Sequence, residues 1–165
     1  EMTRARELPF ELRLGGVRAN WVAVDVRVGE HTERVDASGV GGDPVGELAG
    51  LGVLAASGQD GEHAASLWTE PDGWWVVARV ASDEAVVELV YTPSMHDGLP
   101  RARHRDPGRV VARVEVPRLA LAEVVWRALR AVEHEVRAAH AARAWAHAYP
   151  ATEVGALAAS LERRR

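Results

Sequence analysis

The densest group of side chains that could do chemistry lies in the segment 93–108, PSMHDGLPRARHRDPG. Arginine can hold a phosphate or carboxylate through paired hydrogen bonds, and histidine can exchange a proton near neutral pH. The three prolines and two glycines of the segment predict a loop. We therefore predict a binding site for an anion or small ligand here, with an enzyme that uses His96 as acid or base as one form of it. The candidate ligand-binding residues are His96, Asp97, Arg101, Arg103, His104 and Arg105. The alternative is a solvated connection between two strands.

A second group, Glu133, His134, Glu135 and His140, has residue types that bind metals. The spacing does not fit, because metalloproteases place the second histidine three residues after the glutamate, and here it follows five residues after Glu135. The Glu-x-x-His pattern of di-iron proteins is also missing. We predict no metal site and interpret Glu133 and Arg137 as a surface ion pair one turn apart.

The amino-acid composition excludes several kinds of chemistry. All 20 basic residues are arginine, and the chain has no cysteine. A Walker lysine, a Schiff-base lysine, a thiolate nucleophile and a cysteine-bound metal are therefore impossible. The glycines Gly39, Gly41, Gly42 and Gly46 only superficially resemble a phosphate-binding loop, and we expect a mobile connection there. Lysine and isoleucine are both absent, which is typical of a GC-rich genome and leads us to expect a bacterial protein.

The aromatic residues point to association with another chain. Six tryptophans accompany only one phenylalanine and two tyrosines, and exposed aromatic patches mark interfaces. The candidate interface residues, all in the expected C-terminal helix, are Trp126, His140, Trp145 and Tyr149. We predict that Trp145 and Tyr149, one turn apart, make the contact. The alternative is that a second layer of the same chain covers the tryptophans.

The first two thirds of the chain has the alternation of apolar residues that is typical of half-buried strands. The clearest example is Val22, Val24, Val26 and Val28, and a weaker strand surrounds Val35. Asp43 and Pro44 predict the start of a short helix that ends at Gly58. Residues 64–70 are expected to pair with 74–81 through the turn Pro71-Asp72-Gly73. Further strands are expected near Val87 and from Val110 to Val116.

The remainder, about 117–165, is expected to be helical. Leu121, Val125, Leu129, Val132 and Val136 form a stripe with helical spacing. We predict one long helix from Pro117 to Tyr149, whose second half projects, and a last helix capped by Thr152.

Together these patterns predict a single α+β domain over residues 1–165. An antiparallel sheet of about six strands is expected to pack against the short helix and the long C-terminal helix. We expect a cytoplasmic interaction module without catalytic activity that binds a protein partner and forms a homodimer through the long C-terminal helix. No cofactor or membrane span is expected, and the net charge of −4 makes nucleic acid an unlikely partner.

Overall fold

A computed structural model describes residues 8–93 and 108–164, which form seven strands and three helices. In chain order these are β1 (Phe10–Arg18), β2 (Trp21–Val28), β3 (His31–Ser38), α1 (Pro44–Ala56), β4 (Gly61–Trp68), β5 (Gly73–Ala81), β6 (Glu84–Thr92), β7 (Arg109–Pro117), α2 (Arg118–Ala141) and α3 (Ala151–Arg163). The α+β class is confirmed. Instead of one sheet of about six strands, the strands form two antiparallel sheets, β1-β2-β3 and β4-β5-β6-β7.

One hydrophobic core joins both sheets and all three helices. The inward row of β2, which consists of Val22, Val24, Val26 and Val28, is fully buried, as the alternation predicts. The outward row of β2 remains at least partly accessible, so one face of the three-stranded sheet is open. The four-stranded sheet differs, because Ala64, Trp75, Val77 and Val90 form a second buried cluster on its other face.

Helix α1 begins as its sequence predicts. The Asp43 side chain accepts a hydrogen bond from the Gly46 amide at 3.0 Å, and Pro44 occupies the first turn. The helix contains several glycines, and tertiary packing explains two of them. A Cβ on Gly50 would lie 2.5 Å from His63 Nε2, and one on Gly52 would lie 2.7 Å from Leu157 Cδ2. These glycines allow α1 to approach β4 and α3 closely.

The predicted turn between β4 and β5 is also confirmed, with Trp68 opposite Gly73. The Asp72 carboxylate fastens this turn, since it accepts hydrogen bonds from Thr69 Oγ1 at 2.7 Å and Tyr91 Oη at 2.9 Å. These two hydrogen bonds favour the charged carboxylate and lower the pKa of Asp72 below its usual range.

Helix α2 buries the predicted stripe from Leu121 to Val136 but ends earlier than expected. The prediction that it continues to Tyr149 is wrong, since it ends at Ala141. Arg143 adopts a left-handed conformation with φ of 59°. The Arg143 amide then donates to His140 O and the Ala144 amide to Ala139 O, which are the two hydrogen bonds of a Schellman motif.

The burial of Trp145 explains this early end. Trp145 lies nine residues after Val136, so a continuous helix would direct it away from the core. In the structure Trp145 is only 1% exposed. The last helix, α3, begins directly after Pro150 without a side-chain cap, so the expected capping by Thr152 is also wrong.

A buried arginine joins the elements at the start of α2. Arg118 is 3% exposed, although it carries a full charge. Its guanidinium donates to Ala55 O at 2.9 Å, Leu54 O at 3.2 Å, Gln59 O at 2.5 Å and Ser82 O at 2.6 Å. The first two carbonyls belong to the last turn of α1, where backbone acceptors lack helical partners. Arg118 therefore caps α1 and links it to the β5–β6 turn.

We predict that Arg118→Met lowers the free energy of unfolding by about 3–5 kcal/mol, because it leaves several buried carbonyls without donors. Arg127→Met is the matched control. Arg127 is an exposed residue of α2 whose pair with Glu123 spans 3.6 Å, so its loss should cost less than about 0.5 kcal/mol. Urea denaturation measures both changes. Equal losses for the two variants would refute the role of Arg118.

The end of α2 makes a second prediction about stability. Arg143→Gly should raise the free energy of unfolding by up to about 1 kcal/mol, because glycine adopts the left-handed conformation without strain. Ala138→Gly, an exposed position inside α2, should instead lower it by about 1 kcal/mol. Thermal unfolding of the two variants compares them directly. Destabilisation by both glycines would indicate that the helix continues past Ala141.

Candidate functional site

The residues of the predicted loop site cannot be placed. His96, Asp97, Arg101, Arg103, His104 and Arg105 all lie outside the described residues. The anion or ligand site that they suggest stays a prediction.

The predicted aromatic contact of the C-terminal region is not on the surface. Trp145 and Tyr149 are 1% and 7% exposed, and both belong to the main core of this chain. The Tyr149 hydroxyl donates to Leu129 O at 2.9 Å, and the Arg137 guanidinium lies 4.9 Å from the centre of its ring. The expectation of an exposed pair on a projecting helix is therefore wrong, because the chain turns after Ala141 and folds these rings inward.

The other two candidate interface residues lie nearer to solvent. Trp126 is half-buried and packs against the core, while His140 is exposed and donates from Nδ1 to Trp145 O at 3.1 Å. Interface contacts of these residues stay a prediction. The ion pair of Glu133 with Arg137 is confirmed at 2.9 Å.

The glycines after β3 have a packing role that the sequence did not indicate. A Cβ on Gly41 would lie 1.1 Å from Trp68 Cε3, and one on Gly39 would lie 2.7 Å from Trp145 Cζ3. Two indole rings therefore rest directly against the backbone of this loop. The expectation of a mobile connection is replaced by a tightly packed one, because only glycine leaves room for these rings.

A more suggestive site lies on the open face of the three-stranded sheet, at the turn between β1 and β2. A cleft of about 690 Å³ is formed there by Gly16, Val17, Arg18, Ala19, Trp21, Ala23, Arg34, Asp36 and Glu135. Trp21 is 36% exposed, an unusual exposure for so large an apolar side chain. Val40, 72% exposed, lies two residues beyond Ser38, the strand partner of Trp21. An apolar surface thus lies beside charged groups.

Local backbone geometry explains the shape of this cleft. Ala19 and Asn20 both have positive φ, 49° and 63°, as a two-residue type I′ hairpin turn requires. Before the turn, one extra residue of β1 forms a bulge between Gly15 and Arg18. Gly16, with φ of 62°, lies in that bulge, and its amide donates to Glu135 Oε1 of α2 at 3.3 Å. The bulge bends the end of β1, and Glu135 attaches it to α2.

The turn itself is held by two neighbouring segments. The Asn20 amide donates to Ala144 O, and the Gly39 amide donates to Asn20 O, each at 2.7 Å. The His147 imidazole then donates from Nε2 to Gly39 O at 2.7 Å. Trp21 therefore follows a turn that is fixed from both sides, so little backbone entropy would be lost when a ligand binds beside it.

The charges of the cleft are of both signs and only weakly satisfied. Within residues 8–93 and 108–164, neither Arg18 nor Asp36 has an oppositely charged side chain within 4.0 Å. Arg34 lies 3.7 Å from Asp25, and both side chains are exposed. Such a pair contributes little to stability. The cleft can therefore offer both an arginine and a carboxylate to a polar ligand.

A second cavity, of about 580 Å³, contains His63, His147, Asp43, Glu47 and Glu153. Its polar groups hold the fold together. His63 Nε2 donates to Glu47 O at 2.9 Å, and the buried Glu47 carboxylate accepts from Ser66 Oγ at 3.0 Å. Across the described ranges, no three histidine, aspartate or glutamate side chains are arranged to hold a metal ion. This cavity is therefore a weaker candidate than the cleft beside Trp21 described above, hereafter the Trp21 cleft.

Sequence reasoning missed the Trp21 cleft because its signals are weak. A Gly-Gly pair ordinarily ends a strand, whereas β1 continues past Gly15 and Gly16 through a bulge to Arg18. Ala19-Asn20 is not one of the favoured dipeptides of type I′ turns. In the sequence Glu135 stands out only as a potential metal ligand, because its contact with Gly16 joins residues that are distant in the chain.

The ionisation of Tyr149 yields a testable prediction. Burial, assisted by the charge of Glu133, raises the pKa of Tyr149 from 10.0 to about 12. Since the folded state holds this proton more tightly, its contribution to stability is complete below pH 10 and is lost as the pH rises toward 12. The chain has no lysine or cysteine, so tyrosine dominates side-chain titration in this range. We expect the free energy of unfolding to fall there.

Urea denaturation between about pH 8 and pH 11.5 measures this decline in wild type, Tyr149→Phe and Tyr91→Phe. Tyr149→Phe should make the decline shallower, although loss of the hydrogen bond to Leu129 should cost about 1 kcal/mol at neutral pH. The control, Tyr91→Phe, removes the other tyrosine, whose pKa is raised by its hydrogen bond to Asp72. If Tyr149→Phe leaves the fall of stability with pH unaltered, the fall does not come from ionisation of Tyr149.

Comparison with known proteins adds no information on the activity of this chain. No family model, curated protein or solved structure matches it. No helix in the described part of the chain is long and apolar enough to cross a membrane. The geometry of the Trp21 cleft is thus the main guide to function.

Proposed function

We propose that this chain is a protein-interaction module without catalytic activity, which holds a segment of a partner protein in the Trp21 cleft. The observation that carries the proposal is the exposed indole of Trp21 beside the charged residues Arg18, Arg34 and Asp36. Tryptophan and arginine are the residue types that most often dominate the energy of protein interfaces. The proposal includes the cytoplasmic setting expected from the sequence.

The chemistry of the cleft favours a polypeptide over a purely apolar ligand. Trp21, Val17 and Ala23 offer apolar surface, and a partner side chain buried against it would gain roughly 25 cal/mol per Å² of apolar area. Arg18 and Asp36 would at the same time favour partner residues of opposite charge. The expected ligand is therefore a segment with an apolar side chain flanked by an acidic and a basic residue.

The backbone around Trp21 supports binding of this kind. Hydrogen bonds from the Asn20 and Gly39 amides hold the turn before the ligand arrives. The inward neighbour of Trp21, Val22, is fully buried and anchors the strand in the core. A rigid aromatic side chain on a fixed strand loses little conformational entropy on binding.

Selection from a displayed peptide library tests the proposal. Wild-type protein is the bait, and Trp21→Ala is the counter-selection bait. We expect to select peptides that carry an apolar residue between charges of opposite sign. Each should bind Trp21→Ala on the order of tenfold or more weakly than it binds the wild-type protein. Titration of each selected peptide, followed by anisotropy of a label on the peptide, measures the affinity.

Val40→Ser and Arg127→Ala serve as controls. Val40 is exposed but is not among the residues that line the cleft, so Val40→Ser should change binding much less than Trp21→Ala, and Arg127→Ala on α2 should have no effect. Circular dichroism verifies that each variant is folded. The proposal is abandoned if no peptide discriminates wild type from Trp21→Ala, or if the selected peptides bind equally well to both.

A further inference from the structure

Strand β7 leaves one edge of the four-stranded sheet without a partner among the described strands. An edge strand directs backbone N–H and C=O groups away from the sheet, and these groups can pair with another strand. The edge of β1 is better protected, because Glu135 of α2 accepts a hydrogen bond from the Gly16 amide. The edge strand β4 packs against α1.

The core is also less complete along β7 than along its neighbour β6. Leu89 and Val87 of β6 are fully buried, whereas Ala112 and Val114, opposite them on β7, are only partly buried. An additional strand beyond β7 would cover the remaining apolar surface of these two side chains. It would also satisfy the backbone groups of the free edge.

The charges of β7 indicate which strand fits. Arg113 and Glu115 are exposed and lie on the same face of β7. We propose that β7 pairs with β7 of a second copy of this chain, in an antiparallel register centred on Val114. In this register Arg113 of each copy lies opposite Glu115 of the other, and Ala112 lies opposite Val116. Opposite charges in such cross-strand positions stabilise the pairing.

Neighbouring registers fit less well. A register centred on Arg113 places the two arginines opposite each other, and one centred on Glu115 does the same for the glutamates. A shift toward Arg109 would use the irregular part of β7, where its pairing with β6 is displaced between Leu89 and Val90. The register centred on Val114 uses the regular segment of β7. It joins the four-stranded sheets of the two copies into one sheet of eight strands.

Sedimentation velocity from micromolar to submillimolar concentration tests the proposal. Wild type is expected to show a monomer–dimer equilibrium. Glu115→Arg brings arginines opposite each other in both cross-strand pairs. The dissociation constant of its dimer should therefore rise on the order of tenfold or more above that of wild type. Glu115 faces the uncharged Val86 within its own sheet, so the substitution should leave the fold intact.

A mixing experiment then tests the register itself. Arg113→Glu alone should weaken the dimer to a similar extent, because it brings glutamates opposite each other. When it is mixed with Glu115→Arg, every cross-strand pair joins opposite charges, and a heterodimer should form. Arg113 faces Glu88 in its own chain, so Arg113→Glu is used only if circular dichroism shows that it is folded.

Glu162→Arg on α3, which makes the same change of charge away from β7, is the control and should dimerise like wild type. The proposal is overturned if wild type stays monomeric at all concentrations, or if Glu115→Arg dimerises as strongly as wild type. It is likewise overturned if folded Arg113→Glu and Glu115→Arg do not associate on mixing. Peptide binding at the Trp21 cleft should survive Glu115→Arg, so the two proposals can fail separately.

Discussion

The architecture depends on one buried cation, the guanidinium of Arg118. It stands at the junction of β7 and α2 and reaches back to carbonyls of α1, the α1–β4 connection and the β5–β6 turn. Asp60, 3.7 Å away and mostly exposed, supplies a nearby negative charge. A charge can remain buried only where polar groups replace its water. Carbonyls from the last turn of α1, the α1–β4 connection and the β5–β6 turn together provide that environment.

Aromatic burial is the second constraint, and it decides the path of the chain after α2. Trp145 enters the core only because the helix ends at Ala141 and Arg143 accepts a left-handed conformation. Its ring then rests on Gly39, as that of Trp68 rests on Gly41. The unusual tryptophan content of the chain is therefore partly internal, since large rings fill the space between the glycine loop and the C-terminal segment. Trp21 differs from these, because its strand directs it outward.

The two proposed interaction surfaces follow from where this packing stops. The outward face of β2 has no second layer among the described elements, so Trp21 stays accessible beside charges of both signs. Strand β7 ends the larger sheet with the apolar row of Ala112 and Val114 incompletely covered. Other polar groups that could suggest catalysis, such as His63 and Glu47, serve hydrogen bonds within the fold. Within residues 8–93 and 108–164, the surfaces that stay accessible are therefore the Trp21 cleft and the β7 edge.

The sequence by itself determined the features that depend on neighbours in the chain. Three local patterns were sufficient to predict their elements: the alternation along β2, the apolar stripe from Leu121 to Val136, and the Asp43-Pro44 start of α1. Strand and helix periodicity and helix starts are properties of neighbouring residues, so the sequence alone records them. Only the tertiary structure decided the division into two sheets, the end of α2, the burial of Arg118 and the Trp21 cleft. These features depend on contacts between distant residues, such as Arg118 with Leu54 and Gly16 with Glu135. No local pattern records such contacts, because their energy exists only once the chain has folded.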